Sequence, residues 1–146
     1  MKTLKLVLFS VAALALTVNI SVAQNYKAQF KVNSSGQAED ANGVKIGWIE
    51  ADGTIKNSKG EVVGKTTKKD KQAELLDKLG NKVAEVSENG TLKNTKGEVL
   101  FTISDADKNG ECQIKDKSGK MVGTVHQNYK QQGACMYHCL AQMKKK

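Results

Sequence analysis

Proline and arginine are both absent from this sequence of 146 residues. Without proline the chain has no cis-proline turn and no rigid polyproline linker. Without arginine it lacks the planar side chain that grips phosphates, carboxylates and guanine edges through two parallel hydrogen bonds. The sequence is therefore a poor candidate for a specific nucleic-acid reader, although its formal net charge is +8.

Histidine is scarce, and no familiar catalytic pattern is present. The chain has two histidines, His126 and His138, and neither belongs to a recognisable catalytic motif. The sequence contains no Gly-x-Ser-x-Gly, no His-Glu-x-x-His and no phosphate-binding loop. His138 stands beside Cys139 and could form a nucleophile pair with it, but a buried pair would not reach a substrate. We therefore predict a protein that is not an enzyme.

Residues 1–23 have the organisation of a secretory signal peptide. Lys2 and Lys5 precede an apolar run over residues 6–18, which is too short to span a bilayer. Ser21-Val22-Ala23 places small residues at the cleavage site. We expect cleavage after this triplet and export to the periplasm or the exterior of a bacterial cell. The remaining chain has 21 lysines and 15 acidic residues, a net charge of +6.

A short pattern recurs five times over residues 35–130. Each copy has an Asp or Asn three residues before a glycine and an aliphatic residue three after it. Such a pair is typical of a type I turn closed by a left-handed glycine, which joins two antiparallel strands. Each copy therefore predicts a β-hairpin. The turn pairs are Asp40 with Gly43, Asn57 with Gly60, Asp77 with Gly80, Asn94 with Gly97, and Asp116 with Gly119.

The second strand of each hairpin departs from simple alternation. Its aliphatic residues recur at a spacing of three, as at Ile46 and Ile49, and a small residue such as Gly47 stands between them. A small residue inside a strand predicts a bulge or a corner, which would let both aliphatic side chains reach the core. Over residues 66–71 lysines replace the expected apolar residues, and we expect the second hairpin to be frayed there.

One hairpin cannot bury its own apolar face, but five can share a core. A closed ring also leaves no long bare edge, whereas an open solenoid would need distinct caps. Over residues 35–129 the repeated pattern resembles the five-fold β-flower family, small exported bacterial proteins built from five such hairpins. The resemblance implies an all-β fold of five repeated hairpins around a pseudo-five-fold axis. It implies no activity, since no catalytic or binding residue is carried over.

The two ends of the exported chain lie outside the repeats. Residues 24–34 alternate loosely and predict an extra strand or extension. Residues 131–146 lack turn residues and end in lysines, which predicts a short C-terminal helix. Cys135, Cys139 and Met143 share one helical face. We expect that face to plug one end of the β structure; the alternative is a basic helix that lies on a membrane surface.

The segment from Asp105 matches the opening of an EF-hand calcium loop. Asp105, Asp107 and Asn109 occupy the first, third and fifth ligand positions, and Asp116 stands at the twelfth. They predict a weak Ca²⁺ site. The same residues also fit two turns, because Asp116 belongs to the fifth hairpin pair and Asn109 precedes Gly110.

The chain has three cysteines, Cys112, Cys135 and Cys139. At helical spacing Cys135, His138 and Cys139 face nearly one direction, and with Cys112 or His126 they could form a tetrahedral Zn²⁺ site. In an exported protein a disulfide is more common. Cys112 would then pair with Cys135 or Cys139, and one thiol would remain. The third possibility is that all three cysteines remain buried free thiols.

Trp48 is the one tryptophan of the chain. Other copies of the hairpin carry polar residues at its position, so we expect its ring to face outward. These observations predict an exported, non-enzymatic structural or interaction module. It would present its loops and lysines, with Trp48, to an anionic envelope or extracellular partner. The alternative is a metal-binding module that uses the Asp105 segment or the C-terminal cysteines and histidine.

Overall fold

The structure, a computed structural model, describes residues 30–144. The predicted signal peptide and residues 24–29 lie outside this range, as do the last two lysines. The described residues are mostly β, with one C-terminal helix, as the sequence predicts. The elements are β1 Phe30–Val32, β2 Gln37–Asp40, β3 Lys45–Ile49, β4 Thr54–Asn57, β5 Val62–Lys69, β6 Gln72–Leu76, β7 Lys82–Val86, β8 Thr91–Asn94, β9 Val99–Ile103, β10 Glu111–Asp116, β11 Met121–His126, a 3₁₀ turn Gln127–Tyr129, and helix α1 Lys130–Lys144.

The eleven strands form one closed barrel. From β2 to β11 each strand pairs antiparallel with the next strand in the chain. The extra strand predicted before the repeats is present as β1. It pairs antiparallel with β2 and parallel with β11, where Lys31 lies opposite Thr124. This short strand closes the barrel, and the sheet therefore has no unpaired edge.

All five predicted turn pairs lie in the turns of hairpins β2–β3, β4–β5, β6–β7, β8–β9 and β10–β11. In each, the side-chain Oδ1 of the Asp or Asn accepts hydrogen bonds from the backbone N–H groups two and four residues later. The glycine N–H donates to the backbone carbonyl of that Asp or Asn. At Asp77 the hydrogen bond from the Asn81 N–H, above all, lowers the pKa of the carboxyl. Each turn is thus stabilised by its own side chain.

Each of these hairpins contains one β-bulge in its second strand. In the first, Ala38 pairs with Gly47 and Glu39 with Lys45, which leaves Ile46 as the extra residue. The corresponding extra residues in the other hairpins are Val63, Val83, Leu100 and Val122. In four hairpins the bulge therefore falls on the aliphatic residue just before the small residue, one position earlier than expected; in the fourth hairpin, β8–β9, Phe101 follows the bulged Leu100. The bulged side chains pack against the core. The residues three positions later are buried in all five hairpins; four are aliphatic and the fifth is Thr66.

The fraying expected over residues 66–71 is wrong. Strand β5 extends to Lys69 and, with 8 residues, is the longest of the described strands. The alternation of faces explains this, because Thr66 points inward and its Oγ1 donates to the Gly53 carbonyl at 3.2 Å. Lys68 and Lys69 are exposed, beyond the part of the strand that lines the core. The lysines therefore extend the hairpin into solvent without disrupting its pairing.

The turn between β5 and β6 contains Asp70, the one described non-glycine residue with positive φ, at 60°. Left-handed backbone is strained for residues with a Cβ. We expect Asp70→Gly to raise the free energy of unfolding by about 0.5 kcal/mol, the strain relieved less the entropy cost of glycine. Lys71→Gly, in the same turn at negative φ, should lower it. Urea unfolding of both variants tests this, and a loss of stability in Asp70→Gly would contradict it.

Helix α1 lies inside the barrel. Residues 133–136 are all buried, and successive helical residues point about 100° apart. A helix lying across one mouth would bury only one face, so this turn is enclosed on every side. The helix contacts strands around the barrel, namely β5, β6, β7, β9 and β11. The predicted plug is therefore a helix that fills the lumen.

The start of α1 is fixed at the end of the barrel opposite the hairpin turns. Gln131 Nε2 donates to the carbonyls of Lys71 and Ser87, which lie in the links β5–β6 and β7–β8. From there the helix runs toward the hairpin turns. Small residues give it room: a Cβ at Gly47 would lie 2.7 Å from Met136 Cε, and one at Gly64 would lie 2.9 Å from Cys139 Sγ.

Among residues 30–144, no helix is long and apolar enough to cross a membrane.

Candidate functional site

Trp48 lies on the outer wall of the barrel. Its neighbours Gly47 and Ile49 are buried, so alternation along β3 directs its half-buried ring outward. Two ammonium groups lie beside the ring: the Nζ of Lys45 is 4.6 Å from its centroid, and that of Lys56 is 5.9 Å away. Both distances permit cation–π attraction. We refer to Trp48, Lys45 and Lys56 as the Trp48 patch.

Strand register assembles this patch. Trp48 lies directly opposite Lys56 of β4, while Lys45 stands three residues before Trp48 on its own strand. Lys56 Nζ also forms an ion pair with Glu50 Oε1 at 2.6 Å. The far edge of the indole faces the β4–β5 turn, where a Cβ at Gly60 would lie 3.8 Å from Cη2. The ring is therefore held between two hairpins.

The equivalent position on β7 and β8 shows a different arrangement. There Glu85 lies opposite Lys93, and Lys82 Nζ bonds Glu85 Oε2 at 2.8 Å. That hydrogen bond is the main reason why the pKa of Glu85 is lowered and that of Lys82 is raised. An acidic residue thus replaces the aromatic ring, and the local charges are balanced. This surface provides a natural comparison for the Trp48 patch.

The Asp105 segment does not gather its carboxylates around one point. Asp105 Oδ1 bonds Lys130 Nζ at 3.0 Å. Asp107 Oδ1 instead accepts the backbone N–H groups of Asn109 and Glu111, and the second of these does most to lower its pKa. Asp116 belongs to the fifth hairpin turn. Each carboxylate therefore has partners within the protein, and the calcium site stays a prediction.

The three cysteines are free thiols in the structure. Cys112 and Cys135 are buried and Cys139 is half-buried. Burial raises the pKa of all three, that of Cys139 to about 11. At neutral pH each is a protonated thiol and a poor nucleophile. The disulfide from Cys112 to Cys135 or Cys139 stays a prediction.

The two histidines lie on different elements. His126 Nδ1 accepts the Asn128 N–H at 3.2 Å, ahead of the 3₁₀ turn that leads into α1. His138 lies on α1, with its ring centroid 6.3 Å from that of Phe101. Within residues 30–144 no group of three or more His, Cys, Asp or Glu side chains is arranged to hold a metal ion. The tetrahedral zinc site stays a prediction without this geometric support.

A cavity of about 800 Å³ opens between the turns β4–β5 and β6–β7. We call it the turn groove. Leu79, 78% exposed at the tip of the β6–β7 turn, forms part of its rim. The lining consists of aliphatic side chains, charged side chains and residues of α1: Val62, Val63, Leu79 and Val83; Glu61, Asp77 and Lys78; and His138, Cys139 and Gln142. Sequence analysis missed this groove; its one signal is Leu79, an apolar residue in the middle of a polar turn.

Comparison with known proteins gives no match: no family model fits the chain, no curated protein sequence is similar to it, and no solved structure resembles it. Its function is therefore inferred from its own residues and geometry.

Proposed function

We propose that this protein is an exported, non-enzymatic interaction module that binds an anionic polymer of the cell envelope or extracellular space. The Trp48 patch is the contact surface. The observation that carries this proposal is the placement of two lysine ammonium groups within 5.9 Å of one half-exposed indole. No other aromatic side chain of the described residues has an ammonium group placed in this way.

The chemistry of the patch suits a sugar polymer that bears carboxylates or phosphates. An indole face packs against the apolar face of a sugar ring, while lysines act as point charges toward the anionic groups. The net charge of +6 expected for the exported chain adds a weaker, long-range attraction. Salt reduces both electrostatic contributions. We therefore expect modest, salt-sensitive binding that gains strength when several modules bind one polymer.

We further propose that the five hairpins are related by a pseudo-five-fold axis, as in the β-flower family. The shared turn hydrogen bonds and the shared position of the bulge support this arrangement. If the hairpins are equivalent in structure, the Trp48 patch is a side-chain difference on a shared backbone, and it then marks the hairpin that differs in function. Function would then reside in the hairpin that departs from the others.

Calorimetric titration of residues 24–146 with polygalacturonate, a carboxylated sugar polymer, tests the proposal. We expect binding that weakens as salt rises, and no binding of neutral dextran. Trp48→Ala and Lys45→Gln should each reduce affinity by about tenfold, which corresponds to about 1.4 kcal/mol. Lys93→Gln is the control, because it removes one exposed lysine from β8, on a hairpin that lacks the Trp48 patch. It should change affinity by less than about twofold.

Two results would count against the proposal. Equal losses in Lys45→Gln and Lys93→Gln would show that overall charge, and not the Trp48 patch, governs binding. No binding of the anionic polymer at low salt would reject an anionic sugar polymer as the partner.

A further inference from the structure

The mouth of the turn groove carries more negative than positive charge. Glu61 and Asp77 contribute two carboxylates, and Lys78 contributes one ammonium. The carboxylates are held in place: Glu61 Oε2 accepts Asn57 Nδ2 at 2.8 Å, and Asp77 Oδ1 accepts the N–H groups of Leu79 and Asn81. The local field therefore favours entry of a cation over entry of an anion.

Sulfur lies at the inner end of this groove. Cys139 of α1 lines it, and Cys135 lies one helical turn earlier on the same face, fully buried. Cβ atoms at this spacing are about 5–6 Å apart. Two sulfur atoms on one helical face can therefore reach an ion that lies between them. Neither Cys135 nor Cys112 lines the groove itself; Cys135 shares a face of α1 with Cys139, whereas Cys112 is on β10.

We propose that Cys135 and Cys139 bind one soft monovalent metal ion of the Cu(I) class, which enters through the turn groove. Soft thiolate ligands select Cu(I) over harder cations. Such an ion accepts two ligands, whereas Zn²⁺ takes four. A two-coordinate site fits a region in which no third His, Cys, Asp or Glu side chain of the described chain completes a metal site.

The binding step balances without any change of oxidation state. Each thiol loses its proton to solvent, and two sulfur–metal bonds form. The dithiolate complex carries one negative charge, and Lys78, which lines the same groove, contributes a positive charge toward it. Val63 and Val83, both half-buried, give the groove an apolar wall, and Val62 is exposed at its rim. This second activity is independent of the Trp48 patch, which lies on the outer wall.

Anaerobic titration of reduced residues 24–146 with Cu(I), in competition with bicinchoninate, tests the site. We expect one Cu(I) per chain by native mass spectrometry, together with thiolate-to-copper charge-transfer absorption in the ultraviolet. Cys139→Ala should reduce affinity by at least about 100-fold, more than the loss of an outer-shell partner costs. Cys112→Ala, the matched control, removes a buried thiol that is on β10 and not on α1, and should leave affinity within about twofold.

Cys135→Ala should have the same effect as Cys139→Ala. Because Cys135 is fully buried, circular dichroism of each variant shows whether the fold is kept. If Cys135→Ala fails to fold, the test of the metal site rests on Cys139→Ala. That variant should keep its fold, because the Cys139 side chain is only half-buried. The site is rejected if folded Cys139→Ala still binds one Cu(I) with unchanged affinity, if Cys112→Ala abolishes binding, or if the wild-type chain never competes with bicinchoninate.

Discussion

A chain that ends at Tyr129 is expected to lose cooperative folding. It keeps every described strand but lacks α1, whose residues Ala134, Cys135 and Met136 are fully buried within the barrel. Replacing a buried Met by Ala alone costs about 2–5 kcal/mol, and the whole stability of a domain is about 5–15 kcal/mol. An empty lumen would also leave the inward faces of all the strands without packing partners.

The measurement is urea unfolding, followed by circular dichroism and by Trp48 fluorescence. We expect no cooperative transition for the shortened chain, and recovery of one when a peptide of residues 130–146 is added. A chain that ends at Gln142 keeps the enclosed helical turn and serves as the control. A shortened chain with nearly the unfolding free energy of the full chain would show that the barrel is stable without its helix.

Gly133→Ala is expected to lower the free energy of unfolding by about 2 kcal/mol. In a helix this change ordinarily stabilises by about 1 kcal/mol, because alanine has the higher helix propensity. Here the new Cβ would lie 2.8 Å from Val125 Cβ and still closer to its Cγ2. The cost of overpacking therefore exceeds the gain in propensity. The helix would have to move away from β11 inside a barrel that leaves it no space.

A double-mutant cycle with Val125→Ala identifies the cause. Val125→Ala removes the colliding methyl groups, so the double variant should be more stable than the two single changes predict by addition. Gln132→Ala, one residue earlier and only half-buried, should change stability by less than about 0.5 kcal/mol. A stabilising Gly133→Ala would show that helix propensity outweighs the contact with β11.

The hairpins could be predicted from sequence because each is formed by neighbours in the chain. Asp40 and Gly43, three residues apart, contain the hydrogen-bonding groups that make their turn. The same holds for the other pairs, and their recurrence strengthens the prediction. A closed sheet also followed, since it alone removes every edge. The hairpins thus follow from the chemistry of neighbouring residues, and the closed sheet follows from the rule that exposed strand edges are avoided.

The features that sequence analysis missed depend on contacts between distant residues. Pattern alone did not show that β1 would run parallel to β11, or that α1 would enter the lumen and leave Cys139 beside Gly64. The fraying expected after Thr66 was wrong because a hydrogen bond to Gly53, thirteen residues earlier, holds that strand. Each outcome is set by packing and register, which single residues do not reveal.

The candidate sites divide in the same way. Polar residues at the equivalent position of the other hairpins predicted an outward Trp48, and the structure places it there. The approach of Lys56 to its ring depends on the pairing of β3 with β4. The turn groove depends on two hairpins and the helix together, so only Leu79 hinted at it. When a site is built from several strands and a helix, the sequence shows its individual residues but does not show which of them come together.

The lumen-filling helix also fixes when this protein can become native. It is synthesised after all eleven described strands, and β11, the partner that closes the barrel against β1, precedes it by only a few residues. A nascent chain can form hairpins as they emerge, but closure of the ring must wait for β11 and packing of the core must wait for α1. The local hairpins can therefore form before the barrel that they build.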